Sequence, residues 1–214
     1  MRDRTMFTDK GEELKAYIVQ SYQDKQHSLA HLEITAYVKM KNSRLRPFIY
    51  AGYLSSYFKP HYSYNEFDMA CKNIRSGDLP LKEIDEEDFV GVPYSYLGLI
   101  HTMYEQQRKG VGTTLLQLQD YFFAKYCDEN KYVDYKEHDK QPMIRGLFYP
   151  SEEINRNAAA DFYFKNGYSF IKSSNDLYKP IDVEQTLASA DKKIMKHLYF
   201  KEQEEDIFTY HYER

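Results

Sequence analysis

Apolar positions Leu14, Tyr17, Ile18 and Tyr22 recur at helical spacing between Gly11 and Asp24, and predict a first helix there. The pattern then changes to strand character in "LEITAYVKM" and "PFIYAGYLSSYF", with the turn-like "KNSRLR" between them, so a hairpin is expected. "YNEFDMACKNIRSGD" reads as a short helix closed by Gly77, and the acidic "KEIDEEDF" as a solvated connection. "YSYLGLIHTMY" is apolar at both alternating sets of positions, the signature of a strand buried on two faces. Leu115, Leu116, Leu118, Phe122, Phe123 and Tyr126 mark a helix from about Val111 to Tyr126. The charged "DENKYVDYKEHDKQ" is a longer loop than a compact α/β unit requires, an insertion or a mobile flap. "MIRGLFY" is the next strand, ended by Pro150 and Ser151, and "NRNAAADFYFKNG" a helix stopped by Gly167. "YSFIK" and "DLYKP" form a final hairpin about the polar "SSN". Beyond Pro180, Val183, Leu187, Ala190, Ile194 and Leu198 fall at helical spacing, and "DIFTYHYE" adds a candidate strand. The chain therefore reads as one α/β domain over residues 1–180 with a C-terminal appendage over 181–214, which packs on the core or forms a subunit contact.

Composition narrows the function classes. With 214 residues and 42% hydrophobic content, the chain is long enough for one substantial core. Its 33 acidic side chains outnumber 29 basic ones, and no Lys/Arg-dense block interrupts the balance, so a nucleic-acid partner is not expected. The opening "MRDRTMFTDKGEE" lacks the apolar stretch of a signal peptide, and no run approaches a membrane span; a soluble, cytoplasmic protein without membrane contact is expected. Cys71 and Cys127 are too few for a disulfide framework or a structural zinc site, and both read as reduced. No metal site is expected. "HLE" at His31 to Glu33 matches the start of a zinc deaminase signature, but its cysteine half is absent. The 22 Tyr with no Trp suit half-buried sheet surfaces.

The stretch "EQQRKGVGTTLL", Glu105 to Leu116, joins the buried strand to the long helix. A glycine turn opening a helix leaves backbone N–H groups unpaired at the positive end of the helix dipole, a ready site for a phosphate or pyrophosphate. Gly110 and Gly112 let the backbone approach such a group, and Lys109 adds a point charge. A Walker A loop is excluded because Thr113, not lysine, follows Gly112. A dinucleotide fingerprint is excluded because Leu115 stands where a third glycine is required.

The spacing Gln107-Arg108-Lys109-Gly110-Val111-Gly112 resembles the Gln/Arg-x-x-Gly-x-Gly/Ala motif of the GNAT superfamily of N-acetyltransferases. Some forty residues on, "NAAADFYFKNGYSFIK" resembles that family's second acetyl-CoA segment, a helix that carries Ala and Phe-Tyr, ends in Lys-x-Gly-Phe/Tyr and enters a strand. The resemblance covers about Tyr94 to Pro180. It implies a mixed, splayed sheet flanked by helices, with acetyl-CoA as co-substrate, and an acyltransferase that passes acetyl directly to a primary amine in a ternary complex. By the same resemblance the pyrophosphate is gripped at Gln107, Arg108, Lys109, Gly110, Val111, Gly112 and Thr113, and the pantetheine pairs with free backbone near Thr102 and Met103. Asn155 and Asn157 are candidates for a further pantetheine contact, although Arg156 stands in the usual register.

Tyr163 falls where the family's helical tyrosine donates a proton to the departing thiolate; the alternative is that it packs beside Phe162 and Phe164. The family's base position, eleven residues before Gln107, is Tyr96, a poor base near neutral pH because phenol ionises near pH 10. His101 lies on the same strand at an odd offset from Tyr96, which turns it to the opposite face, and it reads as a buried, satisfied histidine. Glu105 reads as solvent-exposed, and His138, His197 and His211 as solvated. The aromatic stretch Phe48 to Tyr64 is a candidate acceptor wall or an ordinary sheet. The acceptor is a small molecule, a peptide or a protein amine, and a net acidic chain favours a cationic one. A non-catalytic acyl-CoA-binding module of the same fold and a longer-chain acyltransferase are the rival readings, and a homodimer through the appendage is a further possibility.

Overall fold

The computed structural model describes residues 6–23, 29–40, 48–59, 81–82, 92–130, 141–148, 156–171 and 176–193. Along the chain run strands β1 (Met6–Phe7), β2 (Glu13–Gln23), β3 (Leu29–Lys39), β4 (Phe48–Lys59), β5 (Leu81–Lys82) and β6 (Tyr94–Thr102), then helix α1 (Val111–Asn130). They are followed by β7 (Met143–Leu147), α2 (Arg156–Lys165), β8 (Ser169–Ile171), β9 (Asp176–Pro180) and α3 (Val183–Lys193). Among the described residues all nine strands form one sheet, in the order β1-β2-β3-β4-β6-β7-β9-β8-β5. The β6–β7 and β5–β8 pairs are parallel and the rest antiparallel. This is the expected class, a mixed sheet flanked by helices.

The first expected helix is a correction. Residues 13–23 form β2, paired residue for residue with β3 from Leu14↔Val38 to Gln23↔Leu29. The helical spacing misleads because it groups Tyr17 with Leu14 and Ile18, whereas Tyr17 points to the other face and is 61% exposed. Leu14, Ala16 and Ile18, two apart, are the residues that join the core. The β3 and β4 strands, β7, the β8–β9 hairpin and both motif helices follow the predicted pattern. The helix expected over "YNEFDMACKNIRSGD", most of "KEIDEEDF", the loop at 131–140 and the strand expected in "DIFTYHYE" lie outside the described residues, as do Cys71 and the three solvated histidines.

One face of the sheet carries the core. Leu32, Ile34, Leu54, Phe58, Leu97 and Ile144 meet Leu115, Leu118, Phe122 and Phe123 of α1, and the Phe58 ring lies 5.4 Å from both Phe123 and Tyr126. Burial of each such side chain contributes on the order of 2 kcal/mol. Gln119, fully buried in the middle of α1, donates to Ser56 Oγ at 2.9 Å and Ser95 Oγ at 3.2 Å and accepts from the Tyr168 hydroxyl at 3.4 Å. Those bonds tie α1 to β4, β6 and the start of β8, and they satisfy polar groups that would otherwise be costly to bury. Ile181, Val183 and Leu187 bring the start of α3 into the same core.

Candidate active site

The site begins where β6 and β7 part. Their parallel pairing runs from Tyr94↔Met143 to Leu97↔Gly146 and stops, while β6 continues to Thr102 with β4 as its partner. A bulge at Gly98 marks the separation: Leu97 pairs with Ser56 and Leu99 with Ser55, leaving Gly98 as the extra residue. Met103 N–H donates to Ala51 O at 2.9 Å, which makes that a hydrogen-bonded pair. By antiparallel alternation, Thr102 and Ile100 then turn both backbone groups away from β4, into the gap that β7 vacates. Met103 itself is engaged on both sides, since its carbonyl accepts from Gln106 N–H at 2.8 Å.

The strand leads through a short 3₁₀ turn, Tyr104–Gln106, into the glycine turn. Arg108 and Gly110 adopt left-handed φ of 62° and 82°, which swing the chain back into α1. Gly110 is the residue before the helix, and its carbonyl accepts from both the backbone N–H and the hydroxyl of Thr114 at 3.0 Å. The backbone N–H groups of residues 108–113 find no acceptor among the described residues. Six donors therefore stand at the positive end of a long helix, where the helix dipole favours negative charge. Val111 is buried and anchors the helix start to the core, while Gln107 and Arg108 are exposed. Lys109 is half-buried and donates to the buried Gln106 at 3.1 Å.

Two contacts at this turn had no sequence signal. A Cβ on Gly112 would stand 3.1 Å from two carbons of the Phe162 ring, so this glycine admits α2 against the start of α1. A Cβ on Gly110 would overlap the Asp9 carboxylate, carried by the turn between β1 and β2. Residues so distant in sequence are brought together only by tertiary packing.

Tyr163 is held by the end of its helix. Gly167, at φ 85°, closes α2: its N–H donates to Phe164 O at 3.0 Å and Tyr168 N–H reaches back to Tyr163 O at 3.1 Å. In this Schellman arrangement the flanking side chains meet, and the Tyr163 and Tyr168 rings pack edge to face at 5.5 Å. Phe148, just after β7, packs edge to face on Tyr163 at 6.0 Å. Tyr163 thus stands at the end of β7 that diverges from β6. Burial pushes its phenol up to about 12, so it is fully protonated near neutral pH. Burial, with the charges of Asp120 and Tyr163 behind it, raises Tyr168 as well.

Tyr96 lies apart from this group. It pairs with Arg145 in the joined part of β6 and β7, and it packs, half-buried, against the cluster of Val92, Tyr94 and Met143, as Tyr178 also does. His101 is a second correction: it is exposed and lies face to face with Tyr50 at 6.5 Å. Tyr96 pairs with Tyr57 and His101 with Tyr53, two β4 residues of the same parity, so the Gly98 bulge returns His101 to the face of Tyr96. The expectation of two-sided burial along β6 also fails past Leu97, where Leu99 is 53% exposed. Asn157 is exposed on the first turn of α2, and Asn155 lies outside the described residues. Within the candidate acceptor wall Tyr50 and Tyr57 are exposed on β4, and 60–64 lie outside the described residues. Cys127 is buried and burial raises its thiol, consistent with an inert residue.

A scan against protein-family models finds no match, and neither does a search of curated proteins. Among solved structures, the chain is similar to the KacTA–DNA complex at 12% identity, covering 82% of this chain and 99% of that one with a TM-score of 0.44. It is similar to AtaTR bound with AcCoA at 13% identity, with 80% and 96% covered and a TM-score of 0.43. The NatC complex bound to Gag peptide and CoA is matched at 16% identity over 69% and 70%, with a TM-score of 0.34. Similarity at this level assigns neither activity nor partners to this chain.

Proposed function

We propose that the chain is an acetyl-CoA-dependent N-acetyltransferase that moves an acetyl group to a primary amine by direct transfer. The observation that carries this reading is the run of N–H groups at 108–113 that find no acceptor among the described residues, at the mouth of the gap between β6 and β7. Together with the two motif segments it supplies what coenzyme A requires: donors for a diphosphate and an open strand edge for the amide-bearing arm. When bound, acetyl-CoA supplies an activated thioester. Gln107 to Thr113 hold the diphosphate, and the backbone of Ile100 and Thr102 orients the arm as an added strand would. Tyr163, a phenol that is protonated near neutral pH, gives a proton to the leaving sulfur as the amine nitrogen bonds to the acetyl carbon and the carbon–sulfur bond breaks. Tyr96, at the base position, is a poor base near neutral pH because phenol ionises near pH 10, so the acceptor ammonium loses its proton to water or to another group. The same feature favours the second reading, an acyl-CoA-binding module without transfer.

Calorimetric titration with acetyl-CoA tests the proposal. Saturable binding is expected, lost in Gly110→Asp, which adds bulk beside Asp9 and charge at the donors. Thiol release dependent on an added amine separates transfer from binding. Absence of binding by the parent at millimolar ligand would sink both readings.

A further inference from the structure

We infer that Asp9 is a resident anion of the glycine turn, which weakens and tunes the affinity of that turn for a diphosphate; this rests on the cofactor reading above. The turn Thr8–Gly11 is tightly made. Thr8 N–H donates to Glu12 O at 2.9 Å, Gly11 N–H donates to Thr8 O at 2.9 Å, and Gly11 takes φ 77°. The Thr8 hydroxyl oxygen also accepts from Lys10 and Glu12 N–H at 3.3 and 3.2 Å. Thr8 is buried, and its Cβ would lie 2.9 Å from a Cβ on Gly110, so the turn is seated on the glycine turn and not merely near it.

That seating delivers one carboxylate to the space beside Gly110 Cα. Asp9 makes no hydrogen bond to those amides, and its one ion pair among the described residues is with Lys10 at 3.8 Å, a loose and exposed one. Its attraction to the helix terminus is the attraction a diphosphate would use. Coulomb repulsion between Asp9 and a bound diphosphate opposes binding, and half exposure makes that repulsion sensitive to salt. The carboxylate thereby lowers cofactor affinity at low ionic strength.

Asp9→Asn removes the charge, keeps the shape and breaks no hydrogen bond between described residues, so the fold is preserved; unchanged melting checks this. Titrated with coenzyme A at low ionic strength, the variant is expected to bind about tenfold more tightly than the parent, the ratio falling toward one in molar salt. Asp9→Glu, which keeps the charge, should stay near the parent. Pantetheine, which lacks the diphosphate, should bind both chains alike. Equal or weaker coenzyme A binding by Asp9→Asn, or an equal gain for pantetheine, would overturn the inference while leaving the cofactor reading intact. Failure of parent and variant alike to bind coenzyme A would overturn that reading, and this inference with it.

Discussion

At the scale of single residues, Tyr163 is defined by its surroundings more than by its place in a motif. Its phenol is raised by burial from the usual value near 10 to about 12. The folded state therefore holds this proton after the unfolded chain has lost it. The associated stability is complete below about pH 10 and is lost as pH rises from there through about 12, roughly 2 kcal/mol over the window. Tyr163→Phe should remove that share of alkaline destabilisation in melts recorded from pH 9 to 12. The same variant should retain coenzyme A binding and lose on the order of a hundredfold in kcat; unchanged turnover would leave Tyr163 a packing residue.

Among elements, α1 depends on two glycines for different reasons. Gly110 needs its positive φ and the absence of a Cβ near Asp9, whereas Gly112 makes room for the Phe162 ring. Gly112→Ala should push Phe162 aside by a few tenths of an ångström and disturb the contact between α2 and the helix start. Weaker coenzyme A binding with little loss of melting temperature is the expected result, checked by titration and calorimetry. Gln119 holds the same helix from its middle. Gln119→Leu leaves Ser56, Ser95 and the Tyr168 hydroxyl without that partner, and about 2 kcal/mol of stability should be lost in denaturant unfolding.

For the molecule as a whole, the appendage is partly core. Ile181 and Val183 are buried and Leu187 packs against the same cluster. Truncation after Pro180 removes all three, and should cost about 3–6 kcal/mol, seen as a lower urea midpoint. A sizing measurement on the same truncation tests the proposed homodimer contact, which fails if the oligomer persists.

The strand–turn–helix of the candidate site was legible because its signals are local: two glycines, an apolar strand before them and helical apolar spacing after them decide backbone conformation within a few residues. The end of α2 was legible for the same reason, since Gly167 alone permits the φ that closes it. The misreading of residues 13–23 shows where local pattern fails. Leu14, Tyr17 and Ile18 fit a helix face as well as a strand, and only pairing with β3 selects the strand, by satisfying its backbone groups. The face of His101 depended on one extra residue at Gly98, a slip of pairing that no periodicity announces. Sequence by itself determined the turn, its helix and the chemistry its amides offer. Only the tertiary structure decided that Asp9, Phe162 and Tyr163 gather around that turn and its gap, because contacts between residues so far apart follow from sheet order and packing.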